Sequence, residues 1–268
     1  MNARKTALDA LIACRKRAAW SNGVLKDYIE RDRLDRRDAA LATRLCYGVL
    51  QHRGMLDFFL SQLLTGKVSD LHPLVRDILH MGLYQIYELD KIPDSAAVNE
   101  SVTLAKKYCR WQRSAPGLVN AVLRNAVRTK GTLKVPTSLE DRYSHPQKLI
   151  DALEGYVGKE NIEPMLAANN DTPQTVVQVN TLRVTADELI EKLSAEDVVA
   201  LKHSWMPDCL VLSNTGSLEK LDCFKEGLFY VQDAASRLTV MCARIPTGDN
   251  IRVLDCCAAP GGKTFAAA

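Results

Sequence analysis

The chain has 268 residues, of which 47% are hydrophobic and 25% are charged, with a net charge of +3 at pH 7. This length provides for one or two domains, and the composition is typical of a globular protein rather than a disordered one. No run of about 18 apolar residues occurs, which argues against a transmembrane helix. The eight cysteines include no C-x-x-C pair, so we predict no metal site and reduced thiols in a cytoplasmic protein.

The first half of the sequence has the apolar spacing of helices. Apolar residues recur every three or four positions from Ala3 to Ala19, from Asp35 to Leu64 and from His72 to Leu89. Asp35 can cap its helix, and Asp94 and Ser114 can cap two further helices. The connections are short and no alternating strand pattern is present. We therefore predict an all-α helical bundle over residues 1–135.

The charge is divided unequally between the two halves. Residues 1–135 carry 23 Lys and Arg against 13 Asp and Glu, a net charge of +10, whereas residues 136–268 carry 12 against 19, a net charge of −7. From Ser101 to Val135 there are eight basic residues and no acid. This asymmetry predicts that the first half binds a polyanion, with a solvated basic face as the alternative. The candidate phosphate ligands are Arg110, Arg113, Arg124 and Arg128.

The second half has a different pattern. The pattern over residues 136–170 indicates one or two further helices, and we predict that this segment is a helical linker. After Pro173 come three strand-like segments, "TVVQVNTL", "DCLVLS" and "LFYVQD", with a helical segment after the first. These predict a small α/β subdomain over residues 171–245. Asp233 is placed to cap a further helix.

The last segment, residues 246–268, contains the apolar stretch "IRVLD" and then the turn "CCAAPGGKT". We predict a strand followed by the first turn of a doubly wound α/β domain. A phosphate-binding P-loop is the alternative, but Cys257 stands where its first glycine belongs, and Pro260 lacks a backbone N–H. Gly261 and Gly262 would allow a ligand to approach the backbone closely, which favours a cofactor turn.

The helical half resembles the NusB-type RNA-binding domain. The resemblance rests on "GLYQIYELDKIPDSAAVNESVTLAKKY" and "PGLVNAVLRN", which include the Ile92-Pro93 turn and an Asn-x-x-x-Arg pattern at Asn120 and Arg124. It implies that the polyanion is RNA. Asn99 and Asn120 have an alternative interpretation, in which each simply bonds a neighbouring helical turn.

The stretch "VLDCCAAPGGKT" resembles the S-adenosyl-L-methionine motif of RNA cytosine-C5 methyltransferases, although Cys256 replaces a more usual aliphatic residue. "YVQDAASRL" and "QVNTLRVT" resemble two upstream segments of the same family. With a NusB-like domain in front, the arrangement is similar to the ribosomal RNA small subunit methyltransferase B (Fmu/Sun) family. The resemblance implies methylation of small-subunit ribosomal RNA. The cofactor-binding residues that it implies are Cys257, Ala258, Ala259, Pro260, Gly261, Gly262 and Lys263.

The family's catalytic cysteines lie in Pro-Cys and Thr-Cys motifs, and neither motif is present in this sequence. We therefore assign no catalytic residue among the eight cysteines. Cys14, Cys46, Cys109 and Cys242 are interpreted as packing residues. The resemblance implies that residues 246–268 begin a Rossmann-like methyltransferase domain, either in a fragment or in the product of an interrupted gene.

We expect the 268 residues alone to be inactive, monomeric and unattached to membranes. The alternative function is that of an RNA-binding module without catalytic activity.

Overall fold

The computed structural model describes residues 3–17, 21–246, 248 and 250–267. The chain divides into two compact units, Met1–Asp171 and Thr172–Ala268. Among the described residues, no helix combines the length and apolar character needed to cross a membrane.

The first unit is helical, which confirms the fold class predicted for this part of the sequence. Its helices are α1 (Ala3–Arg17), α2 (Ser21–Arg31), α3 (Arg36–Gln51), α4 (Arg53–Leu63), α5 (Pro73–Glu88), α6 (Asp94–Tyr108), α7 (Ala115–Arg128), α8 (Leu139–Tyr143), α9 (Gln147–Val157) and α10 (Ile162–Asn170). Helix α2 was not predicted from the apolar spacing. The apolar pattern after Asp35 divides into α3 and α4 because the backbone of His52 (φ −101°, ψ 21°) leaves helical geometry.

The three predicted helix caps have different outcomes. Asp35 caps α3, and its carboxylate accepts a hydrogen bond from the Asp38 N–H at 2.8 Å. The prediction for Asp94 is wrong, since Pro93 occupies the N-cap position of α6 and Asp94 is the first helical residue. Ser114 occupies the N-cap position of α7 but makes no capping bond, because its backbone is already helical (φ −78°, ψ −17°).

Helix α5 is central to the first unit. Every residue from Leu74 to Ile86 is buried except Arg76. This pattern is expected of a helix that is surrounded by other helices. A Cβ atom on Gly48 of α3 would overlap the ring of Tyr84. Glycine at position 48 therefore allows α3 and α5 to pack at close range.

A buried carboxylate connects the first two helices. Asp32, just after α2, accepts hydrogen bonds from Arg31 Nε at 2.8 Å and from Thr6 Oγ1 of α1 at 2.7 Å. Lys5 Nζ lies 3.5 Å away. The Arg31 guanidinium, followed by the Thr6 hydroxyl and Lys5, holds the pKa of Asp32 well below its usual range despite burial. The carboxylate thus stays charged and joins the ends of α1 and α2.

The second unit is a small α/β structure, as predicted. Its strands are β1 (Thr175–Val179), β2 (Val199–Lys202), β3 (Cys209–Ser213) and β4 (Phe229–Val231), and its helices are α11 (Ala186–Ala195), α12 (Asp222–Lys225), α13 (Ala234–Cys242) and α14 (Gly262–Ala267). The strand order is β2-β3-β1-β4, with all neighbours antiparallel. The four-residue strand β2 was not predicted, because it is too short for a clear alternation.

Helix α11 packs on one face of this sheet. Leu189 and Leu193 join a cluster that includes Val177, Leu210 and Phe229. The Thr185 hydroxyl and the Glu188 carboxylate form a capping box at the start of α11. Asp233 caps α13 as predicted, and its carboxylate accepts from the Ala235 N–H at 2.8 Å.

The strand predicted at residues 251–255 is not formed, and this prediction is wrong. Among the described residues no strand pairs with this segment, and Val253 and Leu254 are 57% and 84% exposed. A strand needs a neighbour to satisfy its N–H and C=O groups. Without a pairing neighbour among the described residues, this apolar segment is not part of a sheet.

Candidate functional site

The predicted phosphate ligands lie on the surface of the first unit. Arg110 and Arg113 are in the connection between α6 and α7, and Arg124 and Arg128 are one turn apart on α7. All four are exposed. The rise of a helix, about 1.5 Å per residue, separates the loop pair from the helix pair by roughly 15 Å along α7. The structure therefore presents two separate pairs of exposed arginines on the first unit rather than a single cluster.

The charges of these arginines are not neutralised by acids. Arg124 Nε donates to Asn120 Oδ1 at 3.0 Å, and Arg128 Nη2 donates to Asn125 Oδ1 at 2.8 Å. Within the described ranges none of the four arginines forms an ion pair. The amide partners orient the guanidinium groups without cancelling their charge, so the positive potential stays available to an anion. Asn120 thus bonds the next helical turn, as the alternative interpretation expected.

The turn at residues 255–264 has a fixed geometry at its two ends. Asp255 Oδ1 accepts from the Cys257 N–H at 2.9 Å, and Oδ2 accepts from the Thr264 hydroxyl at 2.7 Å. The Thr264 hydroxyl and the Cys257 N–H lower the pKa of Asp255, because both stabilise the carboxylate form. One side chain therefore closes the whole loop.

Helix α14, which follows this turn, packs against β4 and α13 within the second unit. The ring of Phe265 meets that of Tyr230 edge to face at 5.8 Å, and Arg237 Nη1 donates to the Ala266 carbonyl at 2.8 Å. A Cβ atom on Gly262 would lie 3.1 Å from Gln232 Nε2. The turn and α14 thus contact β4, α13 and Gln232 through side chains whose contacts could not be predicted from the sequence pattern.

The structure explains why glycine occupies positions 261 and 262 even without the predicted ligand. Gly261 has φ +111°, a region that other residues rarely adopt, and a Cβ there would lie 3.2 Å from the Phe265 ring. At position 262, the nearby Gln232 side chain leaves little space for a Cβ atom. Close packing within the turn therefore accounts for both glycines, and their role toward a cofactor stays a prediction.

The residues of the turn fit part of an S-adenosylmethionine molecule. The stretch from Cys257 to Pro260 is exposed, as is the Lys263 ammonium. Exposed backbone and a cation suit the carboxylate end of the cofactor's methionine portion. Among the described residues the amide oxygen of Gln232, whose Nε2 neighbours Gly262, has no hydrogen-bond partner and is buried, so one acceptor beside the turn is unsatisfied. Among the described residues no cluster of three potential metal ligands occurs.

The cysteines differ strongly in accessibility. Cys46, Cys109, Cys209 and Cys223 are buried, and burial raises the pKa of Cys46 and Cys223 to about 12. Cys46 and Cys109 are packing residues as predicted. Cys242 was predicted to be one as well, but it is exposed at the end of α13.

Two contacts were not predicted from the sequence. The first is the hydrogen bond between Asp255 and Thr264, which joins two residues of the cofactor motif; the position of Asp255 directly after an apolar stretch could have indicated that its side chain has a structural role. The contact between His72 and Trp111, with ring centroids 5.0 Å apart, joins residues that no local pattern connects.

Two protein families account for most of the chain. Residues 1–128 match the NusB family, and residues 145–219 match the ferredoxin-like domain of RsmF/B-like methyltransferases. The chain therefore combines a helical unit similar to the NusB family with an antiparallel α/β unit similar to that ferredoxin-like domain. The crystal structure of PH0851 has the same fold, with a TM-score of 0.70 and 20% identity over 99% of this chain and 60% of that one.

Curated relatives extend along nearly the whole chain. The probable ribosomal RNA small subunit methyltransferase B of Bacillus subtilis (strain 168) is 33% identical over 97% of this chain and 58% of that protein. The ribosomal RNA small subunit methyltransferase B of Pseudomonas putida is 34% identical over 98% of this chain and 59% of that protein. The chain is thus similar along nearly its whole length to proteins of this name, and it spans about three fifths of the length of these proteins.

Proposed function

We propose that the protein carrying this chain methylates C5 of a cytosine in small-subunit ribosomal RNA, with S-adenosyl-L-methionine as the methyl donor. The observation that carries the proposal is the similarity, along nearly all of the chain, to proteins named ribosomal RNA small subunit methyltransferase B. A ribosomal RNA substrate implies that the protein acts in the cytoplasm.

The first unit supplies RNA affinity in this proposal. Arg110, Arg113, Arg124 and Arg128 are exposed, and binding to phosphates would release counterions from the RNA. The asparagine partners of Arg124 and Arg128 hold the guanidinium groups in defined directions. This arrangement positions an RNA backbone without reading its sequence.

The turn of the second unit supplies one wall of the cofactor site. When bound, S-adenosylmethionine supplies an electrophilic methyl group. Lys263 and the exposed backbone from Cys257 to Pro260 would hold its carboxylate end, and the bond between Asp255 and Thr264 keeps that backbone in place. Gln232 would offer its unpartnered amide oxygen to a polar group of the ligand.

The reaction requires groups that we do not assign to this chain. C5 of cytosine is a poor nucleophile until a thiolate adds to C6, and a base must then remove the C5 proton so that the thiolate can leave. The target base must also be unstacked, which favours single-stranded or loop RNA. Four of the eight cysteines are buried, and none of the exposed three lies in a Pro-Cys or Thr-Cys motif.

A second candidate is an RNA-binding module without methyltransferase activity. It is favoured by the accessible basic surface on α7 and its preceding loop, for which RNA binding alone would account. Both candidates bind RNA, and they differ only in whether a methyl group is then transferred to it.

The test uses the product of the gene read to its stop codon. The purified protein is incubated with small-subunit ribosomal RNA and labelled S-adenosylmethionine, and the RNA is digested and analysed for 5-methylcytidine by mass spectrometry. Our proposal expects 5-methylcytidine with the wild type and with Gly66→Val, whose added side chain meets open space. Gly261→Val should give none. RNA binding without methylation would support the second candidate, and methylation at another atom would contradict the proposed reaction.

A further inference from the structure

The loop between α6 and α7 carries an exposed aromatic side chain to which the proposed function assigns no role. Trp111 is 60% exposed, and its ring contacts that of His72 at the start of α5, with centroids 5.0 Å apart and planes inclined by 59°. The imidazole is itself fixed, because its Nδ1 accepts a hydrogen bond from the Leu74 N–H at 3.2 Å. The indole therefore rests on a positioned partner while much of its surface faces solvent.

The backbone around Trp111 is also well anchored. Gln112 N donates to the Cys109 carbonyl at 3.0 Å, and Ala115 N donates to the Gln112 carbonyl at 2.9 Å. Cys109 and Ala115, on either side of the loop, are 1% and 0% exposed. A side chain presented by such a loop loses little conformational entropy on binding.

The surroundings of Trp111 are basic. Arg110 and Arg113 flank it, and Lys106 and Lys107 precede it at the end of α6; all four are exposed. The stretch from Ser101 to Val135 contains no acid. An exposed aromatic ring among exposed cations is the combination with which proteins bind single-stranded nucleic acid, since the ring stacks on a base while the cations contact phosphates.

We propose that Trp111, supported by His72 and flanked by Arg110 and Arg113, is a stacking platform for an unpaired base of RNA. The inference rests on the proposed function in that it takes RNA as the partner, and it adds that single-stranded RNA is preferred at this loop. A protein partner or a second copy of this chain is disfavoured by the four exposed cations around the ring, which an apolar interface would have to desolvate.

The first unit offers a matched control. Tyr156 on α9 is 90% exposed, but it stands between Glu154 and Glu160 in the sequence. These acids repel RNA phosphates, so the aromatic ring of Tyr156 is not expected to contribute to RNA binding. Tyr156→Ala therefore removes an exposed aromatic ring without removing the platform.

The test measures fluorescence anisotropy of two labelled RNA probes of about 12 nucleotides, within the range of site sizes for single-strand binding. One probe is unstructured RNA, and the other has the same backbone with abasic residues. Trp111→Ala should weaken binding of the first probe about tenfold. Its salt dependence and its affinity for the abasic probe should stay as in the wild type. Trp111→Phe should retain most of the affinity, and Tyr156→Ala all of it.

Tryptophan fluorescence gives a second readout. Quenching by the unstructured probe should be larger in the wild type than in Trp111→Ala, and the abasic probe should quench both equally. Equal affinities of the wild type and Trp111→Ala for the unstructured probe would overturn the platform. An equal loss on both probes would overturn it too, because stacking needs bases.

The outcomes also separate this inference from the proposed function. If the wild type binds RNA in a salt-dependent manner and Trp111→Ala binds equally well, the platform is wrong and the proposed RNA substrate stands. If the wild type binds neither probe at low salt, the RNA partner itself is contradicted. A change in sedimentation of Trp111→Ala at unchanged RNA affinity would assign the ring to a protein interface and overturn the inference.

Discussion

The carboxylate of Asp255 and the hydroxyl of Thr264 are joined by a 2.7 Å hydrogen bond that closes the turn between them. The same carboxylate accepts the Cys257 N–H at 2.9 Å, so one side chain contacts both ends of the loop. Because the residues proposed to hold the cofactor lie inside this loop, its order is a condition for the site.

Thr264→Val should loosen the turn and raise the pKa of Asp255, because the variant removes the hydroxyl that most strongly stabilises the carboxylate. In the wild type this pKa is lowered, so the bond's contribution is present above the ordinary pKa of an aspartate, about 3.9, and is lost as the pH falls through the lowered value. Titration of the Asp255 carboxyl followed by 13C NMR measures the difference. Thr264→Ser keeps the hydroxyl and should titrate like the wild type, whereas identical titrations for the Val variant and the wild type would contradict the prediction.

Gly262→Val should abolish binding of S-adenosylmethionine by the complete gene product while the helical unit keeps its stability. The added side chain begins 3.1 Å from Gln232 Nε2, so either the amide or the turn must move. Calorimetric titration with the cofactor measures the loss, and the thermal transition of the helical unit serves as the folding check. Gly66→Val is the matched control, since its Cβ meets open space. Normal cofactor affinity in Gly262→Val would remove this turn from the site.

Replacing Arg110, Arg113, Arg124 and Arg128 together by Ala should weaken RNA binding and flatten its salt dependence. Each lost phosphate contact on single-stranded RNA reduces the slope of log K against log salt by about 0.7, so four contacts correspond to a change of roughly three. Binding is measured by anisotropy over a series of salt concentrations. Lys148→Ala with Lys159→Ala removes two exposed charges from α9 and the loop after it and should leave the slope unchanged. An unchanged slope in the quadruple variant would mean that the arginines are merely solvated.

Thiol labelling should divide seven of the eight cysteines into two groups, and Cys14, which is intermediate in exposure, belongs to neither. Cys242, Cys256 and Cys257 are exposed and should react with iodoacetamide within minutes at pH 8, whereas Cys46, Cys109, Cys209 and Cys223 are buried and should react only after denaturation. The raised pKa of Cys46 and Cys223, about 12, further lowers their thiolate fraction. Peptide mass spectrometry of native and denatured samples identifies the labelled sites, with the denatured sample as the control. Fast labelling of Cys46 in the native protein would contradict the packing of α3.

The 268-residue chain by itself should bind RNA but neither bind S-adenosylmethionine measurably nor transfer a methyl group. The stretch from Cys257 to Pro260 is exposed in the structure, and small-molecule sites usually bury about 70–90% of their ligand. Calorimetry and labelled methyl transfer to ribosomal RNA check both parts. Methyl transfer by the purified 268-residue chain would overturn this expectation and direct attention to its exposed cysteines, beginning with Cys256.

Much of the fold was accessible from local patterns. The helices of the first unit follow apolar spacing, and Asp35 and Asp233 cap helices where the sequence placed them. The caps predicted at Asp94 and Ser114 were not formed, because backbone geometry at Pro93 and Ser114 decides whether a side chain can reach the helix end. The basic stretch that contains the four candidate arginines could be recognised from charge alone, since residues 101–135 hold eight basic residues and no acid.

By itself, the sequence determined the order of the two units, their helical and α/β character, the basic stretch and the position of the glycine turn. Each of these depends on residues within a few positions of one another, because helix hydrogen bonds and caps connect near neighbours. The tertiary structure alone decided that Gly48 admits the ring of Tyr84, that His72 supports Trp111, that Gln232 lies beside Gly262 and that residues 251–255 form no strand. These outcomes depend on groups brought together from distant positions, and a strand exists only where another strand takes up its backbone hydrogen bonds.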